Sequence, residues 1–328
     1  MGILPTMLLC LCAPLAASSG EEGATSHLLE GIALLQKGGP SRQAELHAAL
    51  AKAHIGLSTK VFADGRAQDH RLSVGVHGCF EPARCPDDPV SAARALARDL
   101  NAPPLVSEWI DAYESSLEAS DMPLHMLGFG VADGGAKLYI GRSEHSEDYP
   151  RLPLGSGGGS SGLMLSDALK SAGLTDGLAL EDVSLEWSVK APEAGVRVRV
   201  YHSEPSILSA LTLWSDFHKI DRSKLSVWAA QLARAEPNAQ LIWASPRYDP
   251  ASLNAPISFA PSKLAVKASS SGAAAEQSTA LLALLKPMMT PAAHEAAAKW
   301  SSSTLGAIGS LPYSADVAQL DVDAAGGL

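Results

Sequence analysis

Two short motifs alternate cationic and tyrosine side chains with aliphatic ones. The first is Lys137-Leu138-Tyr139 and the second is Arg197-Val198-Arg199-Val200-Tyr201. Successive side chains of a β-strand point to opposite faces, so each motif puts its cations and its tyrosine on one face. Lys263 and Lys267 alternate with apolar residues in the same way. The pattern predicts a sheet face that gathers five cations and two tyrosines and no carboxylate.

Cations gathered on one face repel one another unless an anion or solvent compensates them. The chain has a formal net charge of −10, so it has no general attraction for nucleic acid or for an anionic membrane. An anionic ligand must therefore be bound by a local cluster. A pyrophosphate offers several acceptor oxygens, and charge-assisted hydrogen bonds contribute roughly 1.5–3 kcal/mol each. The cluster predicts a diphosphate site, and a solvated sheet face is the alternative interpretation.

The strands that carry these motifs fall into regularly spaced hairpins. The clearest hairpin signal is the Asp133-Gly134 turn between two alternating runs. Four predicted hairpins join Leu57–Phe62 to Arg71–Phe80, Leu124–Val131 to Ala136–Gly141, Val183–Val189 to Val196–His202, and Gln240–Ala244 to Lys263–Ala268.

The hairpins belong to an internal repeat. Lys137 precedes Arg199 by 62 residues, and Arg199 precedes Lys263 by 64, each in the second strand of its hairpin. Segments with helical periodicity lie between the hairpins, so each unit reads as ααββ. We therefore predict an α+β fold, an antiparallel β-barrel built from repeated ααββ units with the helices outside. A fifth hairpin is incomplete, because only Val317–Val322 is available as a short strand.

The composition indicates one large folded unit after a separate N-terminal segment. The 328 residues are 46% hydrophobic and 18% charged, which excludes a disordered chain. The apolar run Ile3–Ala17 predicts that residues 1–20 are a signal peptide or a disordered leader, and residues 21–328 a single barrel domain. No later run reaches the ~20 apolar residues of a membrane span. We expect a soluble protein, cytoplasmic if the leader is not cleaved and secreted if it is.

The tyrosine motifs resemble those of the aromatic prenyltransferases with the ABBA fold, a ten-stranded antiparallel barrel surrounded by paired helices. In that family Lys-x-Tyr and Arg-x-Lys/Arg-x-Tyr lie on successive strands, where cations bind an allylic diphosphate and tyrosines shield the carbocation. The resemblance covers roughly residues 45 to 270. It implies diphosphate binding by Arg71, Lys137, Arg197, Arg199, Lys263 and Lys267, and shielding of the cation by Tyr139 and Tyr201.

The reaction implied by the resemblance is transfer of a prenyl group from its diphosphate to an aromatic small molecule in secondary metabolism. The enzyme would be a transferase of alkyl groups other than methyl. We expect no nucleic-acid partner, and we expect the protein to act as a monomer. The cations remove the need for a metal, and magnesium stays an option. Indole-type members have a glutamate about ten residues before the first arginine. Here the nearest carboxylates before Arg71 are Asp64 and Asp69. Either could serve as a base or as a magnesium ligand, and both also fit as turn residues.

Two other function classes remain for comparison. A secreted, non-enzymatic binder of an anionic lipid or metabolite would use the same basic face. A disulfide between Cys79 and Cys85 would favour that class, because disulfides persist in oxidising compartments. A serine hydrolase is formally suggested by Gly158-Gly159-Ser160-Ser161-Gly162, but this match lies in a Gly/Ser run with no parallel-sheet pattern around it.

Overall fold

A computed structural model provides the fold of the chain. It describes residues 6–12, 55–62, 64–65, 67–77, 88–119, 126–132, 134–141, 152–155, 163–174, 179–204, 206–220, 222–235, 238–253, 256–267, 274–308 and 314–321. Two predicted features, the Cys79/Cys85 pair and the Gly158–Gly162 motif, lie outside these residues.

The described residues form an antiparallel sheet. Its strands are β1 (Thr6–Cys12), β2 (Ile55–Val61), β3 (Ala67–His77), β4 (Met126–Ala132), β5 (Gly135–Gly141), β6 (Ala179–Ser188), β7 (Arg197–Glu204), β8 (Asn238–Ala244), β9 (Ala260–Lys267) and β10 (Ser314–Asp321). Strands β2 to β9 pair with their neighbours in chain order and form a curled sheet of eight. β10 pairs with β9, and β1 pairs with both β10 and β2.

Helices fill the connections between the predicted hairpins. They are α1 (Pro89–Asp99), α2 (Pro104–Ala119), α3 (Leu165–Ser171), α4 (Ile207–Phe217), α5 (Arg222–Ala235), α6 (Ala274–Leu285) and α7 (Pro291–Ile308). The sequence determines where α1 begins. The Asp88 side chain caps the helix by accepting a hydrogen bond from the Ser91 amide, and Pro89 occupies the first turn. The α+β class and the alternation of helices with antiparallel hairpins are confirmed.

The hydrophobic core lies between the sheet and the helices. Apolar residues of β3 to β7 pack there with those of α1, α2 and α3, and a second cluster joins β8 and β9 to α4 through α7. Two buried tryptophans form hydrogen bonds between packed elements. Trp187 Nε1 of β6 donates to the Leu100 carbonyl at 3.1 Å, and Trp228 Nε1 of α5 donates to the Leu284 carbonyl of α6 at 2.7 Å. Because the helices cover this side, the residues that alternate with the core residues, among them Lys137, Arg197 and Arg199, lie on the other side of the sheet.

Two predicted segments near the ends of the chain correspond to strands. The C-terminal run predicted at Val317–Val322 is β10, from Ser314 to Asp321. Thr6–Cys12, within the predicted leader, is β1. Cleavage of residues 1–20 stays a prediction. Among the described residues, no helix has the length and hydropathy to cross a membrane.

Candidate functional site

The basic motifs do share one face of the sheet, opposite the helices. In the strand register Lys137 of β5 lies opposite Glu186 of β6, and Glu186 lies opposite Arg197 of β7. The next rows toward β9 place Arg199 beside Ala244 and bring Lys263 opposite Ile242. We call the following set the basic face: Arg71, Lys137, Tyr139, Glu186, Arg197, Arg199, Tyr201 and Lys263.

A carboxylate lies at the centre of this face, so the prediction of a face without carboxylates is wrong. Glu186 Oε2 accepts a hydrogen bond from Arg199 Nε at 2.9 Å and lies 3.5 Å from Lys137 Nζ. Asp182 also occupies this face by register, opposite Tyr201. The alternation Ser184-Leu185-Glu186 indicates this carboxylate, because it places Glu186 on the face opposite Leu185. Glu186 lies in the first strand of its hairpin, whereas the cationic motifs lie in second strands.

Burial makes these charges interact strongly. The side chains of Lys137, Arg199 and Glu186 are only 5%, 9% and 16% exposed. Burial alone would raise the pKa of Glu186, but the charges of Lys137 and Arg199 hold that pKa well below its usual range. The pKa of Lys137 lies well below its usual range. Burial is the largest cause, the positive charges of Arg199 and Arg71 add to it, and the negative charge of Glu186 opposes the shift only in part. Burial and the neighbouring cations therefore both disfavour the charged form of Lys137.

Two tyrosines form an apolar wall beside the cations. The ring centroids of Tyr139 and Tyr201 are 6.3 Å apart, with the planes at 50°. Tyr201 is buried with Ile242 and Ala265, and Tyr139 packs against this group. Burial raises the pKa of Tyr201 well above its usual range, so the phenol stays neutral. Its hydroxyl lies 3.4 Å from Ser184 Oγ. A ligand with an anionic end and a hydrocarbon end would find both surfaces side by side.

Glycines on β4 provide the space in which this wall and Arg71 lie. Gly130 is opposite Lys137 in the register and therefore on the same face. A Cβ atom at Gly130 would lie 2.9 Å from Tyr139 Cε2 and 3.3 Å from Arg71 Cδ. Real Cβ atoms essentially never approach as closely as 2.9 Å, and 3.3 Å is tighter than most contacts, so the absence of a side chain at Gly130 gives Tyr139 its position and leaves room for Arg71.

The rim of the face adds a cation that the sequence analysis did not find. After β8 the chain stays paired with the start of β7, where the Val196 amide donates to the Tyr248 carbonyl at 2.8 Å. Arg247, whose side chain is 35% exposed, donates from Nη1 to the Gly195 carbonyl at 3.1 Å and from Nη2 to Glu186 Oε1 at 3.3 Å. No motif could have indicated Arg247, because it lies outside the repeat strands.

The remaining predicted site residues have different positions. Arg71 and Arg197 are partly buried on the basic face, and Lys263 is buried there. Lys267 ends β9, but its side chain lies outside the described residues, as does that of Asp69 in β3. Asp64 is exposed in the turn between β2 and β3.

Asp64 is therefore not buried among the basic residues, and its catalytic role stays a prediction. Within the described part of the chain, no three His, Cys, Asp or Glu side chains come together in a way that could hold a metal ion. A magnesium requirement likewise stays a prediction.

Comparisons with known proteins give similarity at the level of structure alone. No family model matches the chain. No curated protein matches it either. Among solved structures, the chain is similar to the crystal structure of AnaPT from Neosartorya fischeri, with 11% sequence identity and a TM-score of 0.43. The similarity covers 95% of this chain and 96% of that one.

Proposed function

We propose that this protein transfers an allylic prenyl group from its diphosphate to an aromatic small molecule. The observation that carries the proposal is the juxtaposition, on one sheet face, of buried cations with the apolar wall of Tyr139 and Tyr201. An allylic diphosphate has the matching shape, with an anionic head and a hydrocarbon tail. The resemblance of the two tyrosine motifs to those of aromatic prenyltransferases supports the same assignment.

In this proposal the cations of the basic face, together with Lys267, bind the diphosphate. Ionisation breaks the allylic C–O bond, and the electron pair leaves with the pyrophosphate. Lys137, Arg199 and Lys263 stabilise the charge that develops there, in a buried environment where electrostatic interactions are stronger than in water. Positive charge at the head therefore favours departure of the leaving group without requiring a metal.

The tyrosines act on the other fragment. Their neutral rings present π-electrons to the allylic cation, an interaction worth about 2 kcal/mol when it is desolvated. A ring of ten strands around the donor would exclude water, which otherwise converts the cation to an alcohol. A single protomer would suffice, because the basic face is complete within one chain.

Attack by an aromatic carbon forms the new C–C bond, and that carbon then loses its proton. Glu186 is a poor acceptor for this proton, because its neighbours hold its pKa well below the usual range. The proposal keeps Asp64 as the base, which requires the turn after β2 to contact the acceptor. Asp64→Asn tests this part separately from donor binding.

The proposal is tested by titrating the full chain with dimethylallyl and geranyl thiolodiphosphates in a calorimeter, with and without magnesium. We expect micromolar binding that inorganic pyrophosphate competes away, and at least about tenfold weaker binding by Arg199→Gln. Arg94→Gln is the matched control, because Arg94 is exposed and pairs with Asp111 and Glu114 between α1 and α2. Equal binding by both variants would remove the basic face from the proposal.

Product analysis then tests the transfer step. The chain is incubated with dimethylallyl and geranyl diphosphates and a panel of indoles, phenols and naphthols. A prenylated aromatic product supports the proposal. Donor binding without any product across the panel would identify the chain as a binder of prenyl diphosphates and would overturn the transferase assignment.

A further inference from the structure

The two carboxylate oxygens of Glu186 are bound by three cations from three parts of the fold. Oε2 accepts from Arg199 Nε of β7 at 2.9 Å and lies 3.5 Å from Lys137 Nζ of β5. Oε1 lies 3.3 Å from Nη2 of Arg247, in the segment after β8. The carboxylate thus occupies donors that a phosphate group would also use.

This arrangement solves an electrostatic problem of the unliganded fold. Buried charges without a counter-ion destabilise a protein by several kcal/mol, so a set of buried cations needs an anion even when no ligand is bound. Glu186 supplies one negative charge. A diphosphate supplies up to about three, with more acceptor oxygens in a similar volume. The same donors can therefore be shared between the protein's own anion and an external one.

We propose that Glu186 is a specificity-determining counter-ion that competes with the ligand for Lys137, Arg199 and Arg247. This inference rests on the proposed function, since it assumes that the basic face binds a diphosphate. A ligand with one or two negative charges gains too little to displace the carboxylate, whereas a diphosphate gains enough. Glu186 therefore lowers the affinity for every anion and excludes the weakly charged ones.

Arg247 is the part of the arrangement that can move most easily. Its side chain is 35% exposed, against 5% for Lys137, and its contact with Glu186 is longer than that of Arg199. When a diphosphate enters, Arg247 can exchange Glu186 Oε1 for a phosphate oxygen while its Nη1 stays hydrogen-bonded to the Gly195 carbonyl. The rim cation would then close over the ligand.

The test measures binding of inorganic pyrophosphate and inorganic phosphate by calorimetry, with the full chain and the isosteric variant Glu186→Gln. We expect the variant to bind pyrophosphate about tenfold more tightly or better, and to gain measurable affinity for phosphate. The ratio of pyrophosphate affinity to phosphate affinity, which measures selectivity, should fall. Glu114→Gln is the control, because Glu114 is an exposed carboxylate that pairs with Arg94 and should leave both affinities unchanged.

Weaker or unchanged pyrophosphate binding by Glu186→Gln would overturn the inference, because it would show that the carboxylate organises the cations instead of competing for them. If the variant does not fold in plain buffer, refolding is compared in pyrophosphate and in sodium chloride of equal ionic strength. Recovery in pyrophosphate alone supports the inference. No recovery in pyrophosphate overturns it, since an external anion would then be unable to replace the carboxylate.

The two proposals fail in different ways. Binding by the wild type with no gain in the variant overturns only the role of Glu186. Binding by the variant alone supports competition by Glu186 but removes the diphosphate site from the proposed function of the natural chain. Absence of binding in both proteins overturns both.

Discussion

Lys137 and Glu186 lie directly opposite each other across β5 and β6, and the ammonium nitrogen is 3.5 Å from the carboxylate oxygen that also accepts from Arg199. One carboxylate is therefore shared by two buried cations. Such an arrangement is not the most stable way to fill a sheet face, because a buried cation must recover its lost hydration. If these charges serve the proposed diphosphate site, their replacement should affect binding and stability differently.

Replacement of Lys137 by methionine should leave the fold at least as stable. The fold disfavours the ammonium form of Lys137, whose pKa lies well below its usual range, so below the unfolded-state pKa of about 10.4 the charge opposes folding. Glu186 keeps Arg199 and Arg247 as partners and is not left unpaired. Urea denaturation at pH 7 should show an unchanged or higher free energy of unfolding, by up to about 1 kcal/mol.

The same variant should bind pyrophosphate at least about tenfold more weakly than the wild type, because one phosphate donor is lost. Stability and binding would thus change independently. A loss of more than about 2 kcal/mol in the free energy of unfolding would contradict this view and would make Lys137 a structural member of the ion cluster.

Binding of a diphosphate should raise the pKa of Lys137. The anion adds negative charge beside the amine, so any protons that Lys137 exchanges on binding are taken up and not released. Calorimetric titration at pH 8 in buffers of different ionisation enthalpy measures the number of protons taken up. Lys137→Met is the control, because protons exchanged by the ligand itself appear in both proteins. Equal proton uptake in both would show that Lys137 does not change its charge on binding.

The sequence predicts the parts of this site that follow from alternation within one strand. The tyrosine motifs lie on the face opposite Leu138 and Val198, which are buried toward the helices, and Gly134 lies between β4 and β5 with a positive φ of 76°, as expected for the turn. Relations between strands are different in kind. The approach of Glu186 to Lys137 depends on the register of β5 against β6, which the repeat does not specify.

Two other features could not be predicted for separate physical reasons. Arg247 reaches the site from an irregular segment, whose path is determined by backbone bonds to the start of β7. Strand β1 is a short apolar run, and such a run has the same pattern as the hydrophobic part of a signal peptide. Hydrophobicity alone does not distinguish the two, because both require only a few consecutive apolar residues.

Alanine at Gly130 should displace the apolar wall without unfolding the sheet. The added Cβ would lie 2.9 Å from Tyr139 Cε2, so the tyrosine ring must shift, and it would make a tight contact of 3.3 Å with Arg71 Cδ. We expect geranyl thiolodiphosphate to bind about tenfold more weakly. Calorimetry gives the affinity, and a melting curve checks the fold.

Gly135→Ala is the matched control on the neighbouring strand. A Cβ at Gly135 would have the Trp187 carbonyl oxygen as its nearest neighbour, at 3.7 Å, which is ordinary contact. This variant should bind like the wild type. Equal affinities for the wild type and Gly130→Ala would show that Tyr139 and Arg71 do not need their present positions.

His202, on the side of the sheet opposite the basic face, should make the free energy of unfolding fall at acidic pH. It lies on β7 next to Tyr201 in sequence, is 0% exposed, and has the Trp243 ring edge-on at a centroid distance of 6.4 Å. Burial lowers the pKa of His202 to about 4. The unfolded chain, with a histidine pKa near 6.5, therefore takes up a proton that the folded chain refuses. The stability that neutral His202 provides is complete above about pH 6.5 and is lost as the pH falls toward 4.

The variant His202→Phe isolates this effect. Free energies of unfolding from urea titrations between pH 4 and 7.5 should fall more steeply in the wild type, by a total of about 3 kcal/mol relative to the variant. Subtracting the variant's curve removes the contribution of carboxylates, which titrate in both proteins. Because His202 faces the helices, pyrophosphate affinity at pH 7.5 should be the same in both. Parallel curves would mean that the folded protein accepts the proton at His202 as readily as the unfolded chain does.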